Sequence, residues 1–84
     1  MDRKETFDRV VEIIKPFVKN QEALAEANEK TRILDDLQVN SARLVDIVLD
    51  FEDRFGIEID DESADRVQTI GDAIAVVQEK LTSG

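Results

Sequence analysis

The sequence contains neither cysteine nor histidine. Without cysteine there is no disulfide framework, no thiolate zinc site and no cysteine nucleophile in the chain itself. Without histidine the chain lacks the commonest general base and the commonest metal ligand near neutral pH. Glycine is scarce too: Gly56, Gly71 and Gly84 stand far apart, so no glycine-rich loop is available to cradle a phosphate. No apolar run approaches the ~18 residues of a membrane span. The start, MDRKETFD, is charged where a secretory signal needs an apolar centre. No membrane insertion and a cytoplasmic location are therefore expected. There are no internal repeats and no heptad seam sustained over three heptads.

Positive charge is also in short supply, with eleven Lys and Arg against twenty Asp and Glu and a net charge of −9. Such a chain is repelled by phosphate backbones and anionic headgroups, so no nucleic acid partner is expected and basic protein surfaces fit better. At 84 residues the sequence allows one small domain over 1–84. Such a domain buries about 60% of its unfolded surface, too little for an enzyme with a deep cleft of its own. The composition, 42% hydrophobic and 37% charged, is that of a folded, highly charged domain, expected to be a monomer.

Hydrophobic periodicity gives an all-α reading: a small bundle of four helices, three longer and one short, with a long first loop. Phe7, Val10, Val11, Ile14, Phe17 and Val18 recur at helical steps from about Lys4 to the high teens. Pro16 interrupts that pattern and predicts a kink or an early end. From Lys19 to Asn40 periodicity lapses, with one or two helical turns possible in QEALAEANE and with Ile33, Leu34 and Leu37 as anchors. A second helix, Ser41 to Phe55, carries Leu44, Ile47 or Val48, Phe51 and Phe55 inward and ends at Gly56 in a left-handed cap. GIEID reads as an extended connector that points Ile57 and Ile59 into the core, and DESADRV as one short helical turn. Thr69 is a suitable N-cap for a last helix with Ile70, Ala73, Ile74, Val77 and Leu81 inward.

Little of this suggests catalysis. IDDESAD fails as a calcium loop, because Asp65 falls where the tight turn needs glycine and Ala64 breaks the alternation of oxygen ligands. Ser41 has no histidine to activate it, which argues against a serine hydrolase. Periodicity alone makes Ser41 a plain N-cap. It leaves open whether Val45 and Leu49 widen the buried stripe or form an exposed apolar pair framed by Asp46, Asp50 and Asp53, a surface suited to a basic, partly apolar groove.

The run DDLQVNSARLVDIVLDFEDRFGIEIDDESADRVQTIGDAI resembles the acyl carrier proteins from Asp35 to about Val77. In that family a serine in the pattern D-S-L, at the start of the second helix, carries 4′-phosphopantetheine. The thiol of that group holds acyl intermediates as thioesters. Ser41 falls on this serine. Glu52, Phe55, Gly56 and Ile59 match the pattern E-x-x-F-G/D-x-x-I, and Thr69, Ile70 and Asp72 match the start of the last helix. The resemblance implies a carrier and not an enzyme, with the thiol supplied by the prosthetic group and catalysis by partners. Those partners would be a phosphopantetheinyl transferase and acyl-loading, acyl-transfer or synthase enzymes with basic docking patches.

By the same resemblance Asp46, Asp50 and Asp53, with Val45 and Leu49, would contact partners, and Leu44, Val48, Phe51, Ile59 and Ile74 would line an acyl chain. The sequence departs from the family motif around the serine. Asn40 stands for the acid, Ala42 for the leucine, Arg43 for an acid or polar residue and Gln38 for a glycine. These positions would set which partners bind, and imply a specialised lipid, polyketide or peptide pathway. The alternative is an unmodified carrier-fold module that binds a protein through the acidic second helix.

Overall fold

Asp2 starts the first helix by accepting the Glu5 amide on its side chain at 2.7 Å. In the computed structural model, which describes residues 2–83, this helix, α1, spans Arg3–Ile14. Val10 and Ile14 are fully buried as the periodicity predicts. Phe7, Val11 and Phe17 are only half-buried, and Thr6 and Ile13 complete the inner face instead. Of the two outcomes open at Pro16, the chain takes the early end. Pro16 offers no N–H to the carbonyl of Glu12, so Lys15–Phe17 tighten into a 3₁₀ turn and Val18 is extended.

The connection over 18–40 is ordered by its anchors. Asn20 caps a short helix, α2 (Gln21–Ala25), in the segment where local turns were expected. Ile33 and Leu37 are fully buried, Leu34 is half-buried, and Val39 is an additional buried anchor. Gln38, between two buried residues, adopts a left-handed φ of 56° that turns both neighbours inward. Backbone hydrogen bonds tie this connection to the start of the last helix: Ile33 N–H to Gln68 O (3.0 Å), Ile70 N–H to Thr31 O (3.0 Å) and Gly71 N–H to Glu29 O (2.8 Å). Gly71 is required there, because a Cβ would lie 2.9 Å from the Glu29 carbonyl oxygen.

A 3₁₀ turn, Ser41–Arg43, leads into α3 (Leu44–Phe55), which Gly56 ends with a φ of 65° as its sequence position predicts. The GIEID segment is an extended connector with Ile59 buried and Ile57 half-buried. It leads to the short α4 (Asp61–Asp65), capped by Asp60. Thr69 opens α5 (Ile70–Ser83) in a reciprocal box: its hydroxyl accepts the Asp72 N–H at 3.0 Å while the Asp72 carboxylate accepts the Thr69 N–H at 3.0 Å. Ile70, Ala73, Ile74 and Val77 are buried as expected, and Val76 with them. Leu81, expected inward, is exposed. Periodicity marks the face of a helix but not where the opposing elements stop, and the buried run of α5 ends one turn earlier at Val77.

α1 packs against both α5 and α3, and α3 also touches α5. The result is three longer helices with short ones and a long first connection. At 34 × 26 × 18 Å the molecule is about two helices thick in its narrowest direction.

Candidate functional site

Ser41 begins the 3₁₀ turn that leads into α3, and its side chain is exposed. The plain-cap reading of Ser41 is corrected here. Asn40 is the cap: its side chain accepts the Ala42 N–H at 2.9 Å and its carbonyl accepts the Arg43 N–H at 2.8 Å. Ser41 is thereby relieved of the capping role. Among the described residues nothing hydrogen-bonds its hydroxyl, and Ala42 beside it adds almost no bulk.

A surface groove of about 640 Å³ lies between α3 and α4, and Ser41 is one of its lining residues. Leu44, Val45, Val48, Leu49 and Glu52 form the α3 wall, and Ile59, Asp61, Ala64 and Asp65 form the other. On α3 these positions follow steps of three and four, so one face of one helix supplies a continuous apolar wall that ends at a carboxylate. Glu52 has a structural task there. Its carboxylate accepts the Ile59 N–H at 2.7 Å, joining the end of α3 to the connector that leads into α4. This contact gives the paired Glu52 and Ile59 of the sequence pattern a physical reason.

Val45 and Leu49 are 64% and 55% exposed, so they do not widen the core stripe. Leu44, Val48 and Ile59 line the groove together with Ser41. Phe51 and Ile74 do not: both are fully buried in the core and contribute no groove surface. Asp46 and Asp50 are half-buried and Asp53 is exposed. Arg43 donates to Asp46 at 3.1 Å, so the first acid of α3 is partnered by a cation of its own helix start. Sequence reasoning missed the second wall. Its signal was the spacing of Asp61, Ala64 and Asp65, which share a face of any helix formed by DESADRV.

α4 is held from outside the groove. The Asp60 carboxyl sits below the usual aspartate range because the Ser63 hydroxyl and backbone N–H donate to it, with Lys80 Nζ 3.9 Å away. Arg66 reaches Glu79 of α5 at 3.1 Å. Elsewhere Arg3 Nε donates to both Glu29 oxygens at 2.9 Å, which holds the Glu29 carboxyl below its usual range.

Comparisons with known proteins identify the family. A family model described as "Phosphopantetheine attachment site" matches residues 8–77. The acyl carrier protein of Thermotoga maritima is 35% identical over 79 residues, 94% of this chain and 95% of that protein. The chain belongs to the acyl carrier protein family. The acyl carrier protein of Phenylobacterium zucineum is 43% identical over 56 residues, covering 67% of this chain and 71% of its own. Among solved structures, the acyl carrier protein of Enterococcus faecalis superposes with a TM-score of 0.76 at 31% identity, over 95% of this chain and 99% of that one. The crystal structure of the T. maritima protein gives 0.75 at 28% identity, over 99% and 94%.

The molecule is thus a non-catalytic acyl carrier protein of the phosphopantetheine-attachment type, with the helical bundle of that family. Its partners, in general terms, are a phosphopantetheinyl transferase and enzymes that handle acyl groups. No helix among the described residues is long and apolar enough to cross a membrane.

Proposed function

We propose that Ser41 is the attachment point for 4′-phosphopantetheine and that the carrier serves a specialised pathway with few dedicated partners. The observation that carries the first part is the exposed, unpartnered Ser41 hydroxyl at the edge of the α3–α4 groove. The surroundings fit the group. Asn40 has taken over the capping, Ala42 leaves space, and the apolar wall of Leu44, Val48 and Ile59 begins beside the serine. The bound group would supply the thiol that this cysteine-free chain lacks. Ser41 would provide the oxygen of the phosphodiester, and the transferase the base that deprotonates it.

The specialised role rests on the charges around that serine. Arg43 places a cation two residues from it and neutralises Asp46. Partners that present lysine or arginine at this point would meet a like charge, while Asp50 and Asp53 farther along α3 remain for basic patches, with Val45 and Leu49 as apolar contacts. Leu44, Val48 and Ile59 would shelter an acyl chain.

Incubation with coenzyme A and a broad-specificity phosphopantetheinyl transferase, followed by intact-mass measurement, tests the attachment. The wild type should gain one phosphopantetheine and Ser41→Ala none. If the wild type stays unmodified even with its cognate transferase, the attachment reading fails and the unmodified interaction module stands in its place. Loading of Arg43→Asp by transferases from general fatty-acid systems should exceed that of the wild type. Equal loading would remove the support for a specialised partner set.

A further inference from the structure

Four arginines of this chain hold carboxylates: Arg3 with Glu29, Arg32 with Asp35, Arg43 with Asp46 and Arg66 with Glu79. Among the described residues Arg9 and Arg54 hold none, although acids outnumber bases in the chain almost two to one. Both line the same notch between α1 and α3, a concavity of about 300 Å³ completed by Glu12, Ile13 and Phe55. Its floor is apolar and fixed: Ile13 is buried, and the Phe55 ring packs on Phe51 with centroids 6.2 Å apart. Arg54 lies thirteen residues past Ser41, roughly 20 Å along α3 at the helical rise. An occupant of the notch therefore leaves the serine and its groove free.

We infer that this notch is a second protein-docking site, which takes a single acidic side chain flanked by apolar residues from a partner protein. The guanidinium fork matches a carboxylate in two parallel hydrogen bonds, and two free forks over an apolar floor fit one acid with an aliphatic or aromatic neighbour. A polyanion is disfavoured. Asp8 and Asp53 adjoin the two arginines in sequence, Glu12 is in the notch itself, and the whole molecule carries −9, so a run of acids or a nucleic acid backbone would be repelled. A surface of this kind would tether the carrier to a partner while its other face delivers cargo, which raises the effective concentration at the delivery site.

The test is selection of displayed hexapeptides on the intact protein, followed by titration of the enriched peptides while backbone amide shifts are recorded. Enriched peptides should carry one Asp or Glu beside Leu, Ile or Phe, and the shifts should centre on Arg9, Ile13, Arg54 and Phe55. The double variant Arg9→Gln/Arg54→Gln should bind them about tenfold more weakly or worse, a loss of ~1.4 kcal/mol. The double variant Arg9→Lys/Arg54→Lys should fall between, because it keeps charge but not the fork. Both replace exposed side chains, and their circular dichroism should match the wild type. Absence of such enrichment, shifts centred on Val45 and Leu49, or unchanged affinity in the glutamine variant would each overturn the proposal. Phosphopantetheine loading at Ser41 is a separate readout that the glutamine variant should leave unaltered, so failure of the carrier reading and failure of the notch are told apart.

Discussion

The two long connections of this molecule are held in different ways. The first, over 18–40, buries Ile33, Leu37 and Val39 and is tied by backbone hydrogen bonds to the start of α5. The second, over 56–69, carries α4 and forms one wall of the groove beside Ser41. Its far end shares the Ile33–Gln68 backbone hydrogen bond with the first connection, but around α4 it is held by the Glu52 contact with Ile59, by buried Ile59 and Val67, and by ion pairs that remain exposed to solvent. Exposed pairs contribute at most about 1 kcal/mol each. Stability is thus concentrated away from the site. The connection that forms the α4 wall of the groove is the more weakly tied of the two, and binding elements tend to come from the less stable parts of a fold.

The strongest way to break this contrast is to empty the first connection. Leu37→Ala should cost about 3 kcal/mol through lost burial and an unfilled cavity. In a domain of this size that lowers Tm by more than about 10 °C. Thermal unfolding checks it, and a loss under about 1 kcal/mol would show that the first connection is not a principal support. Next in size is Gly71→Ala, whose Cβ meets a backbone oxygen that only a shift of the whole connection can relieve. About 2 kcal/mol is expected, as for other overpacked sites, measured by denaturant unfolding.

On the other side, Glu52→Ala should cost about 1–2 kcal/mol by leaving the Ile59 N–H without its acceptor. Its signature differs from the first two. Hydrogen exchange should accelerate in 57–68 while α1 and the 18–40 connection stay protected, and uniform acceleration would contradict the division drawn above. A smaller change sharpens the first region from the opposite direction. Gln38→Gly removes the cost of a left-handed side-chain residue but adds unfolded-state entropy, for a net gain of roughly 0.5 kcal/mol.

The least effect is expected from pH. Glu29 and Asp60, one in each region, have lowered carboxyl pKa values in the folded state, from Arg3 and from Ser63 respectively. Each contribution is present above the ordinary carboxylate range near pH ~4 and is lost as pH falls through the lowered folded value. Glu29→Gln and Asp60→Asn should each flatten the acid side of the stability profile below about pH 4. Carboxyl titration by NMR should find both groups ionising at lower pH than their unfolded counterparts.

Much of the architecture was legible because it follows from local rules. The stripe of α3, its end at Gly56, an interruption at Pro16 and the Thr69 cap need only period, glycine, proline and cap chemistry, but only the folded chain decides whether Pro16 kinks the helix or ends it. What was hidden depends on distant chain meeting. Asn40 and Ser41 are adjacent and both are good caps, so only the backbone path decides that Asn40 caps and Ser41 is left free. Val45 and Leu49 match their buried neighbours in type, and their exposure depends on what lies opposite. Phe51 and Ile74 lie in the core and not on the groove wall, and helical spacing does not separate the layer that faces a groove from the one under it. Arg9 and Arg54 sit 45 residues apart on different helices, and nothing local in the sequence joins them.

The central claim is that Ser41 has been freed for modification. Protein purified from its native host and digested with trypsin should yield a peptide spanning 33–43 that carries phosphopantetheine on Ser41, its only serine, while peptide 55–66, which holds the buried Ser63, is recovered unmodified. The group found on another residue, or peptide 33–43 recovered only in unmodified form, would contradict the account.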